Sequence, residues 1–428
     1  MNATRKVYVV DGLRTPFLKA RGVPGPFSAS DLATQAGRTL LLRQPFEPEE
    51  LDEVILGCVV QESQEANIAR VVAQRLGCGD HVPAWTVQRN CGSGMQALDS
   101  AARLIADGDA DLILAGGVDA MSHAPLKFTE RFAAWMGGLA RARSLPQKLA
   151  ALSRFRLSLL TPVISLLQGL TDPKSGLSMG QTAENLAHRF GVSRAAMDQF
   201  AADSHLRAAE TRPALAVENV LLFDDKGRFY DADDGVRPDS TPEKLAKLRP
   251  VFDKPLGNIT AGNSAQVTDG AALLLLASEE ALERYNLKPL GVISAATWRG
   301  LDPEQMGLGP AYAIPALLAR EQIDMQRVDL WEINEAFAAQ ALACVAALDD
   351  DDFCRSELGL ERRFGHIDSE RLNIDGGAIS LGHPVGASGA RIVLHLLNAL
   401  KRRQERRGVA ALCIGGGQGG AMMVERVV

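Results

Sequence analysis

Six cysteines, Cys58, Cys78, Cys91, Cys344, Cys354 and Cys413, are scattered along the chain, and no two of them form a C-x-x-C pair. That absence removes the zinc-site and disulfide-framework readings and leaves reduced thiols, most of them expected to be buried. An excess of positive charge is lacking too. The 46 Lys and Arg stand against 52 Asp and Glu, which excludes a nucleic-acid binder working through a global basic field. No apolar run reaches the roughly 20 residues of a membrane-spanning helix. The amino terminus, MNATRKVYVVDGLRTPF, has neither the long apolar region nor the small-residue cleavage site of a secretory signal, and the expected compartment is the cytoplasm.

What is present is a chain of 428 residues, 46% hydrophobic, long enough for two or three domains around a large core. Short apolar runs (KVYVV, EVILGCVV, ADLILAGG, VAALCIGGG) alternate with alanine-rich stretches of helical period, the α/β pattern of buried strands and covering helices. After TVQRN, the spacing of Met95, Leu98, Ala102 and Ile105 predicts a helix beginning near Gly92 or Ser93, with Cys91 at its amino end.

CGSGMQAL (91–98) is echoed by GASGARIV (386–393), and each is followed by a strand that ends in glycines. So long a period suggests two copies of one α/β unit rather than a solenoid; chance similarity between Gly-Ala-rich segments is the alternative. From about 126 to 250 the pattern breaks into basic, leucine-rich and then acidic, proline-containing sequence, which reads as an insertion. The expected division is 1–125 and 251–285 for the first half, 126–250 for the insertion and 286–428 for the second half.

Four segments could carry chemistry. Cys91 is either a small core residue or a nucleophile, and a helix start would lower its thiol pKa and aim N–H groups at whatever is bonded to sulfur. His383, in SLGHPVGASG, is either structural or the base that a cysteine nucleophile needs, and the small residues around it suit either a ligand or tight packing. Cys413 lies between VAAL and IGGGQGG, where glycine amides can approach a carbonyl. Asn334, in EINEAFAAQA, is either an N-cap or part of a site.

Together these segments carry a resemblance to the thiolases over essentially the whole length: RTPF, CGSGMQA, SMGQTAENLA, LRPVFD, TAGN with TDGAA, NEAFAAQA, GGAISLGHPVGASGARI and CIGGGQGG follow in family order. The resemblance implies two similar five-layered α/β/α/β/α halves with a loop domain inserted in the first. It implies thiolytic cleavage of a 3-ketoacyl-CoA by coenzyme A, or the reverse Claisen condensation, in fatty-acid β-oxidation or in acetoacetyl-CoA synthesis. Coenzyme A is then a co-substrate, with no permanently bound cofactor and no metal.

Carried over by motif, Cys91 takes the acyl group, His383 is its base and Cys413 the second acid and base. His383 with a water on Asn334 makes one oxyanion hole, and the amides of Cys91 and Gly415 make the other. The small residues around His383 are then room for the thioester and pantetheine arm. Coenzyme A contacts map onto Met179, Val251, Phe252, Ala261, Ala336 and Phe337. Two departures stand out. Ser178 replaces a usual His before Met-Gly, and NSAQ places Ala265 where a pantetheine-contacting serine is usual, so either Ser264 substitutes or one hydrogen bond is lost. SLPQKLAALSRFRLSLLTPVI is similar to the thiolase subunit of trifunctional fatty-acid oxidation complexes, although those have HEAF where this chain has NEAF.

Two other classes compete. A condensing ketoacyl synthase lacks a cysteine in CIGGGQGG, and a non-catalytic lipid carrier should have lost at least one reactive residue. The resemblance further implies a homodimer or homotetramer. Between Arg131 and Thr171 lie Arg131, Arg141, Arg143, Lys148, Arg154 and Arg156 with no acidic residue. Such a stretch suits contact with anionic lipid or with a hydratase–dehydrogenase subunit; packed leucines with solvated arginines, or arginines on coenzyme A phosphates, are the alternative.

Overall fold

The computed structural model describes residues 5–427. Five longer strands build the first half, β1 (Val7–Arg14), β2 (Glu53–Gly57), β3 (Ala84–Val87), β4 (Leu112–Ala120) and β5 (Thr268–Ala277), with the two-residue strand Leu18–Lys19 paired to β5. Four build the second: β6 (Gly291–Gly300), β7 (Leu330–Ile333), β8 (Arg407–Ile414) and β9 (Gln418–Arg426). β4 and β5 are buried at every residue, which is why they read as unbroken apolar runs rather than as alternating patterns.

Both halves share one strand order. β2 runs parallel to β4, and β5 lies antiparallel between β4 and β1; β7 runs parallel to β8, and β9 lies antiparallel between β8 and β6. β3 completes the first half beside β2. Its counterpart in the second is reduced to a single parallel bridge between Trp331 and Leu372. The halves join where β1 pairs antiparallel with β6, Val7 opposite Ile293.

Two helices lie between the sheet halves: α1 (Ser93–Asp107) and α2 (Val385–Arg403). α1 begins where the apolar spacing predicts, with Gly92 as its N-cap. One core cluster packs helices Ala29–Leu41 and Ile68–Leu76 on the outside of the first half, a second surrounds α1 and α2, and a third packs Gly309–Arg320 and Ala338–Leu348 on the outside of the second half. Helix, sheet, helix, sheet, helix are the five layers.

The glycines of the echo pack the molecule's centre. A Cβ on Gly94 would lie 2.6 Å from the Gly386 carbonyl oxygen and 2.9 Å from the Ala390 nitrogen, and one on Gly389 would lie 2.5 Å from the Met95 nitrogen. The contact is reciprocal: residue 94 meets 390 and residue 389 meets 95, the register of the sequence echo. Gly386 also sits against the Val118 carbonyl, 2.7 Å from where its Cβ would be. The expectation that small residues after His383 clear room for substrate is therefore corrected at Gly386 and Gly389, whose missing side chains are replaced by backbone of the opposite half.

Between β4 and β5 the inserted segment contributes helices Met179–Arg189 and Arg194–Glu210, which bury one face, and helices Glu130–Arg141 and Leu145–Ser153, which bury no residue. Leu145, Leu149, Leu152 and Leu157 are all at least half exposed. Packing of these leucines inside the inserted segment is thus not what the fold shows.

Candidate active site

The turn before α1 is built by hydrogen bonds that leave Cys91 facing the second half. The Ser93 hydroxyl donates to the Asn90 carbonyl (2.7 Å) and accepts from the Arg89 N–H (2.8 Å), while the Gly92 N–H donates to the Arg89 carbonyl (2.9 Å). Asn90 takes a left-handed backbone conformation, φ 44°. Across the boundary its side-chain amide donates to the Gly415 carbonyl at 2.8 Å. Gly415 follows β8 and opens a turn whose next two residues, Gly416 and Gly417, have φ 88° and 79°, a region glycine enters without strain.

Burial pushes the Cys91 thiol above its ordinary value, against the N–H groups of Gly415 and of Cys91 itself. The expected lowering by the helix start is therefore corrected: removal of water outweighs the donors, and the resting group is a thiol. Cys413, near the end of β8, is pushed well up by burial, then by Cys91 and Cys344. The two sulfurs are thus electrostatic neighbours.

His383 follows the short helix Ala378–Leu381, and its N–H donates to the Gln266 carbonyl (3.0 Å). Its Nδ1 lies 2.6 Å from the Ser388 hydroxyl, and that hydroxyl donates to the Pro384 carbonyl (2.9 Å). The single hydroxyl proton being committed to Pro384, Ser388 accepts at Nδ1, so the imidazole proton sits on Nδ1 and Nε2 keeps its lone pair. Burial, then the Arg391 charge, lowers the imidazole to about 4, so it is neutral at physiological pH.

Asn334 follows β7 and is fully buried, and neither polar atom of its side chain has a partner among the described residues. It is no N-cap, since the helix after it begins at Ala338 with Phe337 in the cap position. An amide stranded in this way in a polar site is a place for a water or a ligand atom.

Its neighbour Glu335 is the organiser that the sequence did not single out. It accepts from the Ser204 hydroxyl (2.7 Å), the Asn373 amide (2.8 Å) and the Ile379 N–H (3.2 Å), tying the inserted segment and the chain leading to His383 onto the end of β7. The available signal was an acid between a strand and an alanine-rich helix, where burial without partners would be prohibitive.

A pocket of ≈ 570 Å³ opens at Cys91, lined also by Gly415 and Met179 together with Val60, Met121 and Leu170. Cys413, Asn334 and His383 are not part of its lining. Cys413 instead shares an apolar cluster with Met179, Phe252, Ala336 and Phe337, and the Phe252 and Phe337 rings meet edge to face at 5.9 Å. The Ala265 N–H donates to the Ala336 carbonyl (2.9 Å), and the Ser264 hydroxyl to the Thr260 carbonyl (2.7 Å). Val251 and Ala261 are exposed. Among the described residues no group of acidic, histidine and cysteine side chains is arranged to hold a metal ion. The arrangement can hold an acyl group on sulfur, move a proton through a neutral imidazole and a second thiol, and meet an oxyanion with N–H groups.

Comparison with known proteins bears on which chemistry this is. Residues 7–280 match the family model "Thiolase, N-terminal domain", and residues 287–426 match "Thiolase, C-terminal domain". The mitochondrial trifunctional enzyme subunit beta of Homo sapiens is 38% identical over 423 residues, 98% of this chain and 88% of that protein. A 3-ketoacyl-CoA thiolase of Yersinia enterocolitica is 37% identical over 424 residues, 98% of this chain and 97% of its own. The crystal structure of human mitochondrial 3-ketoacyl-CoA thiolase in complex with CoA superposes with a TM-score of 0.85 at 36% identity, covering 99% of each chain. The expected cytoplasmic placement is corrected by these relatives, since the eukaryotic ones are named as mitochondrial.

Proposed function

Given that the chain belongs to the thiolase family, we propose that Cys91 is the residue acylated in its reaction, with His383 as the base of that step and Cys413 as the second acid and base. The protein is a coenzyme A-dependent acyltransferase that cleaves 3-ketoacyl-CoA or runs the reverse condensation. On this reading Nε2 of His383 takes the Cys91 proton and the thiolate attacks the 3-keto carbon. The carbon–carbon bond then breaks towards the thioester, and the enolate of acetyl-CoA receives a proton from Cys413. The Cys413 thiolate next takes the proton of an incoming coenzyme A thiol, whose sulfur attacks the acyl carbonyl; Cys91 leaves as a thiolate and recovers its proton from the His383 imidazolium.

Oxyanions form twice on this path. The stranded Asn334 amide supports a water-holding role beside His383, and the Gly415 N–H at Cys91 supports the other oxyanion hole. The cluster of Met179, Phe252, Ala336 and Phe337, with Ser264 alongside and Val251 and Ala261 exposed near it, is the proposed path of the pantetheine arm. The observation that carries the reading is the junction itself: a half-buried thiol from the first half, at the pocket wall, meets the buried Cys413–Gly415 segment of the second.

A pocket of ≈ 570 Å³ beside Cys91 falls within the roughly 300–1,000 Å³ of small-molecule sites, and supports acyl chains longer than acetyl, hence β-oxidation over acetoacetyl-CoA synthesis. The strand order supports 1–125 with 251–285 as the first half, 126–250 as the loop domain and 286–428 as the second half. The exposed leucines beside Arg131, Arg141, Arg143, Lys148, Arg154 and Arg156, none of which forms an ion pair among the described residues, support 131–171 as a docking surface. Its proposed occupant is a hydratase–dehydrogenase subunit or anionic lipid, on a homodimer or homotetramer.

Brief incubation with a labelled 3-ketoacyl-CoA, acid quench and peptide mapping test the assignment. Label on the Cys91 peptide, lost in Cys91→Ser, is the expected result, and label elsewhere removes Cys91 from its role.

A further inference from the structure

We propose that Asn90 is a positioning residue for the acyl-transfer step, a clasp that holds the Gly415 turn of the second half in register with the Cys91 turn of the first. The inference rests on Cys91 being the acylated residue. Asn90 precedes Cys91 directly, and its side-chain amide donates to the Gly415 carbonyl at 2.8 Å.

The turn it holds is soft by composition. Gly415, Gly416 and Gly417 are consecutive, the last two at positive φ, and three glycines in a row have little of their own to fix where the Gly415 N–H points. The far side of the turn is anchored, because the Leu301 N–H donates to the Gly417 carbonyl (2.8 Å). On the near side the Asn90 amide is the side-chain hydrogen bond that reaches Gly415.

The residue type answers two demands at once. At φ 44° most side chains are strained, while glycine, asparagine and aspartate tolerate the conformation. Of these three, asparagine alone donates a hydrogen bond from a neutral side chain to a carbonyl. Ser93 locks the backbone half of the device from below by accepting from Arg89 and donating to the Asn90 carbonyl. One residue therefore couples the nucleophile's turn to the donor's turn across the boundary between the halves. The Gly415 N–H is also the foremost group opposing the effect of burial on the Cys91 thiol, so loosening it should reach the thiol's reactivity.

Two variants separate the demands. Asn90→Gly keeps the backbone conformation and removes the clasp; Asn90→Asp keeps the shape and the tolerance of positive φ but sets an acceptor against a carbonyl. In both, kcat should fall about tenfold with KM within about twofold, less than the roughly 10²–10³ lost when an oxyanion donor is removed outright. The pH profile of Cys91 alkylation by iodoacetamide, read by peptide mass, should move to higher pH while the melting temperature holds. Parental kcat and alkylation profile in both variants would overturn the proposal. So would a rise in KM alone, which makes Asn90 a pocket wall, or a fall in melting temperature with the folded fraction fully active, which makes it structural. Acyl label found away from Cys91 in the parent protein would overturn the nucleophile assignment, and the clasp with it, whatever the variants do.

Discussion

The two halves place the same architectural point to opposite uses. In the first half, Asp119 near the end of β4 lies opposite Gly270; in the second, Cys413 near the end of β8 lies opposite Gly419. Each strand end receives the start of the other half's central helix. Asp119 meets Gly386 on α2, and Cys413 has Cys91, just before α1, as its neighbour. At the first point everything is satisfied: the Asp119 carboxylate accepts from the N–H groups of Val59 (3.0 Å), Val60 (2.8 Å) and Gly386 (2.5 Å), and the Cys58 thiol donates to it at 3.4 Å. At the second, two thiols stand in the place of the carboxylate and the N–H group, and the nearby Asn334 amide is left without a partner.

Buried polar groups are nearly always paired, so the closed point is what folding alone produces and the open one is what a reaction requires. A carboxyl group built into the chain at one helix start fixes the fold. On the proposed mechanism, the other is where a transient oxyanion forms and leaves.

Substitutions can break that contrast from either side. The largest expected effect is on the open point. Asn334→Ala should lower kcat by roughly 10²–10³-fold, the magnitude of a lost oxyanion-hole group, with the melting temperature unchanged because the side chain has no protein partner to lose. A thermal collapse with full activity in the remaining folded protein would make Asn334 a structural residue.

At the closed point the ranking reverses. Asp119→Ala removes the acceptor of three N–H groups, that of Gly386 buried and those of Val59 and Val60 partly buried, and should cost about 3 kcal/mol of stability, read by chemical denaturation, with kcat in the folded protein close to parental. Asp119→Asn, which keeps an acceptor, should cost less and sharpens the comparison through pH. Burial pushes the Asp119 carboxyl up to about 6 despite its N–H donors. A folded-state pKa above the unfolded value means that the native protein holds the proton longer, so this group's contribution to stability falls as pH rises from about 4 to 6. The difference in stability between Asp119→Asn and the parent should therefore vary across that window and level off above it. A difference flat with pH would mean that Asp119 is ionised throughout.

Much of this was legible before the structure, and for local reasons. The apolar period from Met95 placed α1 and set Cys91 before it, and the echo between 91–98 and 386–393 pointed to two halves, although not to the reciprocal contact of Gly94 and Gly389. What stayed hidden depends on contacts between segments far apart in sequence. Nothing near Asn90 marks a partner at Gly415, and nothing in LILAGGVDAMS says that Asp119 will accept from a helix that begins at residue 385. The thiol of Cys91 was misjudged because a helix start is visible in a sequence while the depth of burial is not, and here burial outweighs the N–H donors. The second-half counterpart of β3 was illegible because it is a single bridge at Leu372, too short to leave an apolar run.

The central claim is that Cys91 carries the acyl group while Cys413 moves the proton, and one measurement meets it directly: intact-protein and peptide mass of Cys413→Ala after mixing with a reactive acyl-CoA. The account predicts near-stoichiometric acylation mapped to Cys91, persisting when coenzyme A is added, with steady-state turnover lost by roughly 10³-fold or more for a residue that acts in both half-reactions. Parental turnover, or an acyl group that coenzyme A removes at the parental rate, would contradict it.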